Sequence, residues 1–209
     1  MISLESSIFF LPTRDFRRLS ILLAIYHEPC QSQMSIARRS GLSSAMVNTY
    51  IHELVENEII KISPINKRDF EYSLTEAGRE LLFSLLMECS AEIVRLYAQA
   101  KQELVKKFTH FFDKNKKMHI VLFGGAETAA MVIQAIHNFP NVELVGIVDN
   151  DPHKWGTKLE GLEISPPKSL SAINPDAIVI ASFAKQNEIF ESIRHLEAKG
   201  IAIIKLSSL

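Results

Sequence analysis

The sequence has little of several features that would define a protein class at once. Cys30 and Cys89 are the only cysteines among 209 residues and show no CxxC or Cys/His spacing, so we expect reduced, partly buried thiols rather than a disulfide or zinc framework. The net charge of −1 excludes a globally basic protein, so any nucleic-acid site must be a local patch. The start, MISLESSIFFLPTRDF, lacks a basic leader and the length of a membrane span, which predicts a soluble, cytoplasmic protein without membrane contact.

The length and composition fit two small domains. Hydrophobic residues make up 47% of the chain and charged residues 22%, without a low-complexity tract, which argues against disorder. The residue pattern changes twice along the chain. Short helices and a hairpin are predicted for residues 1–75, one long helix for 76–115, and alternating strands and helices for 116–209.

The first section contains two short helices joined by a tight turn. Thr13 is a predicted N-cap, Gly41 supplies a left-handed turn, and Ser43 or Ser44 caps the second helix. One face of that helix is apolar and should pack inward. The outward faces carry small, hydroxyl and amide residues of the kind that approach base edges in a major groove, namely Ser44, Ala45, Asn48, Thr49 and His52.

A hairpin with a basic tip follows these helices. The run Ile59 to Ile62 alternates, Asn66 to Asp69 forms the tip, and Phe70 to Leu74 returns. Lys67 and Arg68 at such a tip can reach phosphates or enter the minor groove, which predicts a DNA-binding wing. An ordinary solvated turn is the alternative.

The segments GLSSAMVNTYIHELVENEII and FEYSLTEAGRELL, with the Tyr-x-Leu-Thr-x-x-Gly run from Tyr72 to Gly78, resemble the winged helix-turn-helix of MarR-type regulators over about residues 14–110. The similarity is greatest to the short MarR-like proteins found with exopolysaccharide genes. It implies binding to double-stranded DNA. A position that is often basic in such recognition helices is Thr49 here, so the resemblance assigns the phosphate contacts to Arg38, Arg39, Lys67 and Arg68.

A long apolar stripe follows the wing. Apolar residues recur in steps of three and four for roughly ten turns, and a stripe of this length predicts a partner helix and therefore a homodimer. The alternative is that the stripe lies along its own domain. Its members are Leu82, Leu85, Leu86, Cys89, Ile93, Leu96, Tyr97, Ala100, Leu104, Phe108, Phe111 and Phe112.

From Met118 the pattern indicates a βαβ unit with a glycine turn at the start of its helix, an arrangement that holds phosphate on backbone N–H groups. The second strand ends in Asp149, which could accept hydrogen bonds from ribose hydroxyls. Ligands of parallel sheets sit at the carboxyl ends of the strands. The candidate ligand-binding residues are therefore Gly124, Gly125, Ala126, Glu127, Thr128, Asp149, Asn150, Asp151, Ala181, Ser182 and Phe183.

The segments FGGAETAAMVIQAI, VELVGIVDNDPHKWGTKLEGLEI and PDAIVIAS resemble the small Rossmann-like domain at the front of nucleotide-sugar acyltransferases and polysaccharide-synthesis epimerases, over about residues 117–206. This resemblance implies a nucleotide-sugar or NAD(H) as ligand. A winged helix joined to such a domain also resembles the redox-sensing Rex repressors. Ala126 stands where a full GxGxxG has glycine, and Glu127 adds negative charge, so a Rossmann-like domain without a nucleotide stays an alternative.

The sequence shows no catalytic or metal-binding motif: its seven histidines lack metal spacing, and there is no nucleophile elbow or P-loop. We therefore predict a non-enzymatic, ligand-responsive, dimeric regulator of transcription, and the resemblance implies polysaccharide or cell-surface genes as its targets. The predicted fold class is an α+β winged helix-turn-helix, a long linking or dimerisation helix, and an α/β Rossmann-like parallel sheet. The alternatives are an enzyme or accessory subunit of nucleotide-sugar metabolism and a constitutive DNA-binding protein.

Overall fold

The computed structural model describes residues 13–29, 32–65, 70–112 and 115–206. The chain divides into two compact units, Met1–Tyr97 and Ala98–Leu209. The division falls inside one long helix, whereas the sequence pattern changes near residues 75 and 115. None of the helices in these described ranges is long and apolar enough to cross a membrane.

The first unit is a winged helix-turn-helix, as predicted. Three helices precede an antiparallel two-stranded hairpin, and a long helix follows it. In chain order the elements are α1 (Arg14–His27), α2 (Gln33–Ser40), α3 (Ser44–Glu56), β1 (Ile60–Pro64), β2 (Phe70–Leu74) and α4 (Glu76–Phe111).

Side-chain caps fix where the three short helices begin. The Thr13, Ser32 and Ser43 hydroxyl oxygens each accept a hydrogen bond from the backbone N–H three residues later. Gly41 ends α2 with a φ of +69°, in the left-handed region that favours glycine. The predicted caps at Thr13 and Ser43 and the turn at Gly41 are therefore confirmed, and the short turn between α2 and α3 follows from them.

The core of the first unit comes from the apolar faces of these helices. Val47, Ile51 and Leu54 of α3 are buried, as the helical spacing predicted. They join α1, α2, the hairpin and the start of α4 in one cluster. Its other buried members are Leu19, Ile21, Leu22, Ala24, Ile25, Ile36, Ala37, Ile60, Tyr72, Leu82 and Leu85.

The Tyr-x-Leu-Thr-x-x-Gly run forms the junction between the hairpin and α4. The Thr75 hydroxyl accepts a hydrogen bond from the Gly78 N–H at 3.0 Å and lies 2.6 Å from the Glu58 carbonyl oxygen, to which it donates. Thr75 N–H donates to the Ile59 carbonyl at 3.1 Å. A Cβ on Gly78 would lie 2.1 Å from that same Ile59 oxygen, so only glycine fits. This motif therefore joins the hairpin to the helix.

The predicted apolar stripe on α4 is largely covered by the chain itself, which corrects the idea that the whole stripe pairs two subunits. Leu82 and Leu85 are buried in the first unit, where Leu86 and the free thiol Cys89 also pack. The end of the helix packs in the second unit. Its covered stripe residues are Ala100, Leu104, Phe108 and, just beyond the helix, Phe112.

The second unit is an α/β sheet of six strands in the order β5-β6-β4-β3-β7-β8. All neighbouring pairs are parallel except β5 and β6. If the five parallel strands are counted in chain order, they follow the 3-2-1-4-5 arrangement of a Rossmann-like fold, which confirms the predicted class. The elements are β3 (Met118–Phe123), α5 (Glu127–Ile136), β4 (Val142–Val148), β5 (Lys158–Leu159), β6 (Leu162–Ser165), α6 (Leu170–Ile173), β7 (Ala177–Ile180), α7 (Gln186–Ile193) and β8 (Ala202–Lys205).

Both faces of this sheet are covered, because its strands are apolar on both sides. Alternate residues of β3 belong to different apolar clusters: Ile120 packs with α5 and the end of α4, whereas Val121 packs with α6 and α7. Three aromatic rings close the first cluster. Phe112 lies 5.2 Å from Phe108 and 5.3 Å from Phe139, measured between ring centroids.

Candidate nucleic-acid interface and ligand cleft

The outward face of α3 carries the five residues predicted to contact bases. Packing of Val47, Ile51 and Leu54 against α1 and α2 fixes which side of α3 faces out. All five predicted residues are exposed: Ser44, Ala45, Asn48, Thr49 and His52. The geometry thus presents a polar, uncharged helix face of the kind that enters a major groove.

Two side chains on this face keep their hydrogen-bonding groups available. The Asn48 carboxamide and the His52 ring have no hydrogen-bond partner among the described residues. The Thr49 hydroxyl differs, because it donates to the Ala45 carbonyl at 3.1 Å within the helix. Asn48 is therefore the strongest candidate for reading a base edge, since an amide can bond both adenine N6 and N7.

An ion-pair cluster holds α3 against α1. Glu53 on α3 accepts hydrogen bonds from both Arg18, with its Nε at 3.0 Å, and Arg14, at 2.9 Å. Burial on its own raises the pKa of Glu53, but the bonds from the two guanidinium groups outweigh it and lower that pKa below its ordinary value. The cluster lies on the side of the helix away from Asn48 and fixes the direction of the exposed face.

The four predicted phosphate contacts differ in their surroundings. Arg38 is exposed and has no ion-pair partner in the described part of the chain. Arg39, next to it on α2, pairs with Glu28 of the first helix. Lys67 and Arg68, which the sequence predicts for the wing tip, lie outside the described residues. Of the predicted phosphate contacts that the structure describes, Arg38 is therefore the one whose positive charge is unpaired, and it lies on α2 close to the turn at Gly41.

A cleft of about 500 Å³ opens at the carboxyl ends of β3, β4 and β7 in the second unit. Nine of the eleven predicted ligand residues line it; Glu127 and Phe183 do not. This position follows from topology, because the strand order reverses beside β3 and leaves a crevice there. Sequence reasoning missed five lining residues: Phe123, Lys154, Ala184, Lys185 and Ile189.

Asp149 organises one wall of this cleft. Its carboxylate accepts hydrogen bonds from Gly125 N–H at 2.7 Å, Asp151 N–H at 2.8 Å and Lys154 Nζ at 2.9 Å. Burial opposes ionisation and raises the pKa of Asp149, but these three donors together lower it below its ordinary value. The carboxylate of Asp149, which was predicted to bind ribose, is therefore occupied by hydrogen bonds within the protein, and the Lys154 ammonium neutralises its charge.

The two glycines of the turn are required by packing. Gly124 has a φ of +115°, and a Cβ there would lie 2.9 Å from the Ala181 carbonyl oxygen. A Cβ on Gly125 would lie 2.5 Å from the Ile164 side chain. The glycine pair thus permits the turn after β3 to lie close to the end of β7 and to β6, and its presence does not by itself indicate a phosphate site.

The remaining wall of the cleft presents hydrogen-bond donors. The N–H group of Thr128, a lining residue at the start of α5, has no partner among the described residues, as expected for a first helical turn. Lys185 opens α7, and its exposed side chain also lacks an ion-pair partner within the described chain. Amide donors and a lysine facing one cleft can hold an anionic group such as a phosphate.

The surroundings of the cleft add two findings. The indole N–H of Trp155 donates a hydrogen bond to the Asp149 carbonyl at 2.7 Å and thereby stabilises the loop between β4 and β5. No group of three or more His, Cys, Asp or Glu side chains in the described ranges could hold a metal ion. A further cleft of about 420 Å³ near His137 and Glu143 lies away from the carboxyl ends of the strands.

Two protein-family models match the chain, one for each unit. Residues 17–90 match a family described as winged helix-turn-helix, which contains α1 to α3, the hairpin and the start of α4. Residues 116–204 match a family described as C2185-like, N-terminal, which contains nearly the whole sheet. No curated protein matches the chain. The fold is therefore a winged helix-turn-helix unit followed by an α/β unit.

Several solved structures are similar to parts of the chain. One is BpsR of Bordetella bronchiseptica, whose DNA binding is regulated by 6-hydroxynicotinic acid: identity is 18%, coverage is 41% of this chain and 64% of that one, and the TM-score is 0.36. A MarR family protein of Mycobacterium tuberculosis in complex with salicylic acid has 20% identity, 40% and 63% coverage, and a TM-score of 0.36.

A third structure, UDP-D-quinovosamine 4-dehydrogenase of Vibrio fischeri, has 17% identity, 44% and 80% coverage, and a TM-score of 0.37. The chain thus spans just under two thirds of the length of the first two structures.

Proposed function

We propose that this protein is a DNA-binding regulator of transcription, MarR-like in its first unit, which acts as a homodimer. The observation that carries the proposal is the exposed face of α3, with Asn48 and His52 unpaired, on a winged helix-turn-helix. Arg38 on the adjacent helix supplies a free positive charge for a phosphate. With a net charge of −1, binding depends on this local arrangement rather than on overall charge.

The test is selection of bound sequences from a pool of randomised DNA duplexes, followed by titration at several salt concentrations. Arg38→Ala should weaken binding to all sequences alike and reduce the salt slope by about 1, because one phosphate contact is lost. Asn48→Ala should cost about 1–3 kcal/mol and relax the preference at one base pair.

The matched control for Arg38→Ala is Lys116→Ala, which removes an exposed positive charge from the second unit. Binding should be unchanged in that variant. If the wild-type chain enriches no sequence and binds no duplex at low salt, the regulator proposal fails, and the enzyme or accessory-subunit alternative in nucleotide-sugar metabolism becomes the next hypothesis.

We further propose that the cleft of the second unit binds a small ligand with a phosphate group, a nucleotide-sugar or NAD(H). The support is chemical: Thr128, with a free backbone amide at the start of α5, and Lys185 both line a cleft at the switch point of the sheet. Asp149 is held by Lys154 and Gly125, so ribose recognition through its carboxylate would require those bonds to open.

Thermal shift and calorimetry with UDP, a UDP-sugar, NAD⁺ and NADH test this proposal. A bound ligand raises the melting temperature, and the stabilisation grows with the logarithm of the ligand concentration divided by its dissociation constant. Lys185→Ala should weaken binding about 10-fold or more, because a charge-assisted hydrogen bond contributes about 1.5–3 kcal/mol. Lys199→Ala, which removes an exposed lysine outside the cleft, is the control.

If a ligand binds, it should change DNA affinity. Coupling between two sites amounts to about 1–3 kcal/mol, and it is reciprocal. The ligand should therefore alter the dissociation constant for DNA by the same factor by which DNA alters that for the ligand. Ligand binding without this reciprocal effect would favour a constitutive DNA-binding protein; the ligand would then have another role. Genes for polysaccharide or cell-surface synthesis are the proposed targets.

A further inference from the structure

The outward face of α4 is uncharged and unusually apolar over about four turns. Phe83 is 65% exposed, Val94 66% and Met87 50%. A helix face that contacts water usually carries charged residues, so this one indicates a covered surface. We call it the outer face of α4; its residues are Phe83, Ser84, Met87, Ser90, Ala91, Val94 and Ala98, and all are exposed.

This face is distinct from the apolar stripe that packs in the two units. Leu82 and Leu85 point into the core of the first unit, so the side of the helix that carries Phe83 and Met87 is left uncovered. Phe83, Met87, Ser90 and Val94 follow one another at intervals of four, three and four residues. That spacing is the seam of a two-helix coiled coil, which predicts another helix as the partner.

The charges at the two ends of the outer face indicate which helix is the partner. Glu80 and Lys101 lie on the same side of α4 as this face, because 100° per residue brings both close to the direction of Met87. Neither has an ion-pair partner among the described residues. Opposite charges at opposite ends of one face fit a second copy of the same helix that runs in the reverse direction.

The positions match residue by residue about the Ser90–Ala91 bond. Met87 and Val94 are equally far from this bond in sequence, as are Phe83 and Ala98, and Glu80 and Lys101. In an antiparallel pair, therefore, the large Phe83 ring faces the small Ala98, and each glutamate faces a lysine. A parallel pair would place Glu80 against Glu80 and Phe83 against Phe83, which is unfavourable.

We propose that two copies of this chain pair antiparallel along α4, with the twofold axis at Ser90–Ala91. Such an interface is isologous, so each contact occurs twice. The inference deepens the homodimer of the proposed function by naming its surface and direction. It requires neither DNA nor a ligand, so it can fail while DNA binding to a single half-site persists.

Sedimentation equilibrium of the full chain over a concentration series tests the surface. The wild type should be dimeric, and Val94→Glu should dissociate about 100-fold more readily, because it places a charge in the centre of the seam. Glu163→Gln, an exposed change in the second unit away from α4, should leave the dissociation constant unchanged. A monomeric wild type, or a Val94→Glu variant that dimerises normally, overturns the proposal.

A charge exchange tests the direction. Glu80→Lys alone and Lys101→Glu alone should each weaken the dimer about 10-fold, since each creates two like-charge contacts. The double variant should restore wild-type affinity, because the pairs are re-formed with the charges reversed. Its recovery also shows that the single variants fold. If the double variant is weaker than either single variant, the helices do not pair antiparallel and this arrangement is refuted.

Discussion

Replacement of Gly78 by alanine tests whether the junction between the wing and α4 is as closely packed as the structure indicates. Alanine is favoured over glycine by about 1 kcal/mol in a helix interior, so propensity alone predicts stabilisation. In this structure, however, the new Cβ would lie 2.1 Å from the Ile59 carbonyl oxygen. The two effects have opposite signs, and their relative size decides the outcome.

The steric effect should be the larger. Separations near 3.5 Å are normal between non-bonded heavy atoms, so the Ile59 carbonyl or the helix must move by about 1 Å. That carbonyl accepts a hydrogen bond from the Thr75 N–H, and overpacking of this kind costs about 1–3 kcal/mol. Weakening of this hydrogen bond adds about 1 kcal/mol. After subtraction of the propensity gain, we expect Gly78→Ala to lower the free energy of unfolding by about 1–3 kcal/mol.

Urea unfolding followed by far-UV circular dichroism measures this change. The neighbouring exposed residue supplies the control, because Ala77→Gly changes helix propensity without a steric contact and should cost about 1 kcal/mol. If Gly78→Ala is stabilising by about 1 kcal/mol, propensity prevails, and the argument that the motif requires glycine is wrong.

Two further predictions concern carboxylates whose pKa is lowered. Glu53→Gln should destabilise the protein by about 1 kcal/mol at neutral pH, because it removes the negative charge that pairs with Arg14 and Arg18. Glu56→Gln, a change at an exposed residue of the same helix, should have no effect in the same urea titration. Asp149 has a lowered folded-state pKa, so its ionised form stabilises the folded state at neutral pH, and this contribution is lost as the pH falls through the folded pKa. Asp149→Asn should therefore be less stable than wild type at pH 7, and the difference in the free energy of unfolding should shrink below about pH 3.9. Fluorescence of the single tryptophan monitors unfolding of both proteins. A difference that grows on acidification would contradict the reasoning.

Local chemistry made much of the fold predictable. A hydroxyl residue before an apolar period begins a helix because it accepts the unpaired N–H groups there, and Thr13 and Ser43 both do so. The runs that become β3 and β7 are apolar on both faces, which predicts buried parallel strands. The exposed face of α3 follows from the burial of Val47 and its helical neighbours.

The ligand cleft was predicted only in part, because the residues that line it are far apart along the chain. Glycines and an aspartate at strand ends mark the carboxyl edge of a sheet. Lys154 ends a short 3-10 turn and Lys185 immediately precedes α7, and no sequence pattern shows that both reach one cleft. Nor does sequence show that the Asp149 carboxylate already accepts bonds from Gly125 and Lys154.

The sequence by itself determined the order of the elements, the two kinds of unit and the residues of α3 that face outward, because caps, turns and periodicity act over a few residues. Only the tertiary structure decided which apolar side of α4 is covered. That helix carries apolar residues around much of its circumference, and periodicity cannot identify the neighbours that bury Leu85 and leave Phe83 exposed. Burial depends on contacts between distant segments, and these form only when the chain folds.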